Sequence, residues 1–358
     1  MIWRIAACGL LVCATAAVAQ APYRPDNDSV VLEKLQVPRL AGAASLQELR
    51  AHWASRPASV PAALAYARGA LELHRREEDP RYLGYAQIAL GPWWDLPLAP
   101  PEIMLLRASL RLVRMEHAQA DQDLQALIDS PAPEGHAARI TRAGLRLSQG
   151  NPVAALADCK AAVSHMSALV AATCVAAANG LGSSAPGALA DLEMALQGSA
   201  DAPLASELWA RAVAAELAQR LGQTDQARRH FEAGARRMTA ADSTDPGLLA
   251  AYADFLLEQR EGRSVQTLLT PFQRQDSLLL RLALAERMLG AAGDASAAGT
   301  ATAQCQADMG TGRGRLGPGY PRDEQQQEQK WQQGQGFSYG YRGEALVRLS
   351  FLSLASSF

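Results

Sequence analysis

Residues Leu208 to Arg237 read LWARAVAAELAQRLGQTDQARRHFEAGARR, two apolar-periodic runs around a short polar turn at Arg220-Leu221-Gly222-Gln223. Ala215 and Ala227 stand twelve apart across that turn, and Phe231 and Gly234 follow the second alanine by four and seven residues. The pair of small residues recurs as Ala108/Ala120, Ala143/Ala155 and Ala176/Ala188, and Ala253/Val265 continues the series with a larger second member. Successive pairs lie roughly 33 to 39 residues apart. Self-similarity at such a period is the signature of stacked supersecondary units, each burying its apolar face only against its neighbours.

Helix packing accounts for the spacing. Antiparallel helices joined by turns such as Ser148-Gln149-Gly150-Asn151 or Arg260-Glu261-Gly262-Arg263 approach to about 8–10 Å, a distance set by the contact residues. Alanine at the crossing on both helices permits the closest approach without a void. The positions four and seven after the second anchor, Leu124/Leu127, Cys159/Ala162, Leu192/Ala195, Phe231/Gly234 and Leu269/Phe272, complete one buried stripe of a helix. The expected fold class is therefore all-α, a right-handed α-solenoid of stacked two-helix repeats.

This pattern resembles the tetratricopeptide repeat family, whose unit carries a small residue in the first helix, an alanine and a bulky residue in the second, and a small residue near its end. Leu208 to Arg237 is the best single match, and the resemblance covers about residues 60 to 298. A divergent unit, Pro61 to Leu90, precedes five clear ones, and a broken one begins at Leu278 to Leu289 with Ala283 as its anchor. Few units carry the family's first-helix aromatic or its closing proline, so two-helix repeats of other kinds, HEAT among them, stay open. In the family, first helices line a concave partner-binding groove. Carried over, those positions are Leu105, Ser109, Leu112, Ile140, Thr173, Trp209, Glu216, Arg220, Asp254 and Glu258. The carboxylate clamp of some members is not implied, because Leu105, Ile140, Thr173, Ala212 and Ala250 stand where it needs basic and Asn side chains.

The ends differ from the middle. Met1-Ile2-Trp3-Arg4, an apolar run from Ile5 to Val18 and the small residues Ala17 and Ala19 read as a signal peptide over 1–19, cleaved after Ala19. The expected location is periplasmic or secreted, with no integral membrane segment once the signal is removed. Residues 20–58 read as a lead-in with one short helix from Ser45 to Ala54, and 59–298 as the repeat array. Gly91-Pro92-Trp93-Trp94 breaks the array early, its adjacent tryptophans being either a binding knob or a packing plug. From 299 to 358 the chain turns Gly- and Gln-rich, which reads as a disordered low-complexity tail. Because the periodicity stops in mid-unit, a frame-shifted tail and a genuine Gln/Gly extension are both expectations.

Chemistry-bearing motifs are sparse. The six histidines are scattered, with no His-Glu-x-x-His or Cys-x-x-Cys, and the Gly312 to Gly317 fingerprint precedes Pro318-Gly319 with no strand before it. Glu77, Glu78 and Asp79 read as a solvated helix end. A net charge of −2 with interspersed signs gives no footprint for nucleic acid. No cofactor or metal is implied and no enzyme activity is expected. The sequence points to a non-enzymatic scaffold or adaptor that binds another protein or peptide. The alternatives are a truncated or degenerate repeat protein, or an accessory subunit of an exported enzyme. Cys159 and Cys174, on consecutive helices, are either a disulfide or two small buried hydrophobes.

Overall fold

A computed structural model describes residues 43–180, 184–240, 243–272 and 275–291. They fall within one compact unit that starts at Gly42; the signal peptide, most of the lead-in and the Gly/Gln-rich tail lie outside the described residues. Among the described residues there are fourteen α-helices and no strand, so the fold is all-α. After α1 (Ala43–Ser55) the helices come in pairs: α2 (Val60–Glu77) and α3 (Arg81–Ala89), α4 (Pro101–Val113) and α5 (His117–Asp129), α6 (Glu134–Ser148) and α7 (Pro152–Ala162). The pairs continue as α8 (Ala168–Asn179) and α9 (Ala185–Gln197), α10 (Leu204–Arg220) and α11 (Thr224–Ala240), α12 (Pro246–Glu258) and α13 (Gly262–Leu269), before a single α14 (Asp276–Ala291). Each helix packs on the next. The first helices α2, α4, α6, α8, α10, α12 and α14 also pack successively on one another in a row.

The turn within four of the six pairs repeats one geometry. Met115, Gly150, Gly222 and Arg260 take left-handed backbone conformations just after α4, α6, α10 and α12. In each, the following amide reaches back five residues: Glu116 N–H to Arg111 O, Asn151 to Arg146, Gln223 to Ala218 and Glu261 to Leu256, at 2.8–2.9 Å. This is the Schellman ending, which satisfies carbonyls left over at a helix C-terminus. Glycine adopts that backbone freely, whereas Met115 and Arg260 do so at a cost of about 1 kcal/mol each. Gly262, which the sequence pattern offers as the turn glycine of the last pair, instead lies in α13. A Cβ there would stand 3.1 Å from Ala285 O and 3.2 Å from Leu289 Cγ, so close approach of α14 requires the glycine.

The alanine anchors sit where the helices cross. Ala108, Ala120, Ala143, Ala155, Ala176, Ala188, Ala215, Ala227, Ala253 and Val265 are all buried. Leu124, Leu127, Cys159, Ala162, Leu192, Phe231 and Leu269 fill the stripe beside them. Gly234 is small because Leu248 of α12 lies against it: a Cβ would come within 2.6 Å of Leu248 Cδ2. In α14 the anchor is not Ala283, which is half-buried, but Ala285, which is fully buried with Leu282. The contact with α13 falls at this position, where Ala285 O lies against Gly262.

Candidate docking cavity

A cavity of about 480 Å³ opens among the first helices, lined by Arg68 of α2, Glu102 and Leu105 of α4, Glu134, His136 and Ala137 of α6, with Pro133, His165 and Met166. Its position follows from how the helices begin. Pro101 opens α4 with the fixed backbone angle that suits a first helical residue. Ser167 caps α8 by accepting the Val170 amide, which fixes the segment that carries His165 and Met166. Gly135 lets α6 start against α5, since a Cβ there would stand 2.9 Å from Leu127 O.

Within the cavity the His136 and His165 rings stack face to face, centroids 3.6 Å apart and 12° from parallel. Sequence reasoning treated the histidines as scattered. They are 29 positions apart and meet only because one unit stacks on the next. Burial, helped by His165 and Arg139, holds the His136 imidazole below its ordinary value. Its Nδ1 is shielded from solvent with no hydrogen-bond partner. An apolar floor of Leu105, Ala137 and Met166 under a rim of carboxylates, imidazoles and a guanidinium suits a side chain or short segment of a partner better than a single ion. Among the described residues no three metal-ligating side chains converge.

The ten groove positions divide between core and surface. Leu105, Ser109, Ile140, Thr173 and Trp209 are buried at helix crossings. The Ser109 and Thr173 hydroxyls bond to carbonyls four residues back, Leu105 and Leu169. Of these five, Leu105 alone lines the cavity. Leu112 is half-buried. The charged members pair along and between helices: Glu216 accepts from Arg220, Glu258 from Gln219, and Asp254 takes Arg281 in a bidentate pair at 2.7 and 2.8 Å. Burial pushes the Glu216 carboxyl up against the pull of Arg220. The apolar end of the supposed groove is thus inter-helix contact rather than open surface.

Two buried ion clusters, which the sequence reading missed, tie α4 to α5 and α6 to α7. Arg107 is 1 % exposed and grips Asp123 of α5 through two bonds of 2.9 and 2.6 Å. It also donates to the carbonyls of Trp93, Trp94 and Leu96, the latter two at 2.9 Å. Arg111 adds a 2.8 Å bond to Asp123 and lies 5.2 Å above the Trp94 ring. The tryptophans therefore plug the joint between α3 and α4, half-buried against the first apolar cluster. One unit later the arrangement repeats: Arg142 grips Asp158 at 2.9 and 2.6 Å, Arg146 adds 2.7 Å, and Arg142 also reaches Gln125. The legible signal was the twin Arg-Ala-x-Leu-Arg at 107–111 and 142–146, each followed sixteen residues after its first arginine by an aspartate. Farther on, Phe231 stacks on Tyr252 at 5.2 Å and leans on Phe255. A disulfide between Cys159 of α7 and Cys174 of α8 joins two consecutive pairs, its Cα atoms 5.6 Å apart.

Among the described residues no helix is long and apolar enough to cross a membrane. The chain matches no family model, no curated protein and no solved structure.

Proposed function

We propose that this chain is a scaffold or adaptor that docks a segment of another protein in the cavity lined by α2, α4 and α6, and that it does no chemistry of its own. The arrangement is read as a right-handed solenoid of tetratricopeptide-like pairs, exported and working in the periplasm or outside the cell. Support comes from the buried small residues at the crossings of five pairs, the row of first helices, and the signal-like pattern of residues 1–19. One observation carries the docking reading: the open cavity among the first helices combines an apolar floor with stacked imidazoles and two carboxylates. Recognition pockets commonly pair apolar lining with a few placed polar groups.

The test uses exposed rim residues, because the buried groove positions cannot be changed without loosening the fold. Glu102→Arg and His165→Glu should leave the helical content unchanged while removing the proteins that the wild-type chain captures from periplasmic extract. An unchanged set of captured proteins on both variants refutes the cavity as the docking site.

A further inference from the structure

The first pair of helices touches the last ones, across 170 to 199 residues of sequence. Arg75 of α2 donates to Asp245 Oδ2 at 3.1 Å, while Asp245 Oδ1 accepts the Leu248 amide at 2.9 Å and so caps α12. Buried Gln275, at the start of α14, donates through Nε2 to the Arg76 carbonyl. Glu78 accepts from the Ser277 amide at 2.9 Å and from the Ser277 hydroxyl. It thereby satisfies an amide that the first turn of α14 leaves without an intrahelical partner. Glu78 is held for this at a left-handed backbone position, φ 54°, where its own amide closes α2 on the His74 carbonyl at 2.7 Å. This corrects the reading of Glu78 as part of a solvated helix end.

We infer that these contacts form a reversible clasp that closes the row of helices into a ring. Among the described residues no buried apolar cluster spans this contact. The apolar cluster containing α2 runs from Leu46 to Leu110, and the one containing α12 and α14 runs from Ile140 to Ala285; they share no residue. Hydrogen bonds and partly exposed ion pairs exchange for bonds to water at little net cost, and salt screens them. Joints inside the row, by contrast, are held by buried alanines, leucines and aromatics. The Gln275 side-chain oxygen is buried with no hydrogen-bond partner, so the closed form carries an unsatisfied acceptor that opening would hydrate. Closure stands without the docking reading. The further consequence, that a partner reaches the inner face of the ring when the clasp is open, rests on it.

The experiment places cysteines by Glu78→Cys and Ser277→Cys in a full-length chain with Cys8, Cys13 and Cys305 changed to serine, and reads the rate of intramolecular cross-linking by a short bismaleimide. Fast linking is expected at low salt, slowed several-fold in 1 M sodium chloride and in Arg75→Ala and Gln275→Ala backgrounds. Small-angle scattering of Arg75→Ala with cysteines 78 and 277 left native should show a larger radius of gyration. Because the two cysteines themselves replace clasp residues, absence of the link overturns the inference when the radius of gyration of the chain with native Glu78 and Ser277 is also unchanged by Arg75→Ala and by 1 M sodium chloride. Linking at one unchanged rate under all conditions shows a permanent joint and overturns it equally. Either failure is distinct from failure of the docking reading, which is judged by captured proteins on the rim variants.

Discussion

Replacing Asp158 by alanine removes the carboxylate that Arg139, Arg142 and Arg146 share and leaves three arginines near one another. Asp158 is 3 % exposed at its side chain and accepts from Arg142 twice and from Arg146, with Arg139 3.8 Å away. The Arg142 guanidinium, held above its ordinary value chiefly by its hydrogen bonds to Asp158, stays charged when the partner goes. Breaking a buried pair on one side costs about 3–5 kcal/mol, because the surviving charge remains desolvated. With a urea dependence of about 2 kcal/mol per molar, that loss lowers the unfolding midpoint by about 2 M. Asp123→Ala should cost less, since Arg107 keeps the carbonyls of Trp93, Trp94 and Leu96 as acceptors. Replacing both members, Arg142→Met with Asp158→Leu, should recover most of the loss, as apolar isosteres of buried pairs usually do. Urea titrations followed by far-ultraviolet circular dichroism measure all three variants. A loss under about 1 kcal/mol for Asp158→Ala would show that water reaches the cluster and that the ion pair does not hold the two helices together.

Arg260→Gly should stabilise the chain by up to about 1 kcal/mol by relieving the left-handed backbone after α12, read as a rise in the urea midpoint; a fall would show the arginine side chain outweighs the strain. Cys174→Ala should remove about 3 kcal/mol with the cross-link across fifteen residues, and should slow migration on a non-reducing gel; identical mobility to wild type would mean the thiols are unlinked. Stability should fall with acidification. His136 and His230 both sit below their ordinary value, first through burial, so the unfolded chain takes up protons sooner than the folded one as pH drops below about 6.5. Their contribution is complete above that pH and is lost on the way down, and the double His136→Gln, His230→Gln variant should show a flatter thermal midpoint between pH 7 and 5.

Much of the fold was legible because alanine carries positional information. Ala215 and Ala227 sit twelve apart since two helices and a Schellman turn need that spacing, and the same logic located the crossing points in four further pairs. The pattern failed where shape rather than size set the residue. Ala285 replaced Ala283 as the last anchor, and Gly262 answered to the approach of α14 rather than to the turn. The site was far less legible. Family-derived groove positions such as Ile140, Thr173 and Trp209 are where helices touch, because a closely packed row uses those faces for itself. The His136–His165 stack and the contact of Glu78 with Ser277 depend on how units are superposed, which local periodicity does not encode.

The grip of Arg107 on the Trp93 to Leu96 carbonyls limits how freely the units could be rearranged. Cutting the chain before Pro101 would strip a desolvated guanidinium of three acceptors and leave only Asp123 to neutralise it. A shortened version beginning at α4 would therefore need Arg107 redesigned together with its neighbours. This architecture cannot be trimmed from the front like a string of interchangeable cassettes; its opening segment is keyed to the one that follows.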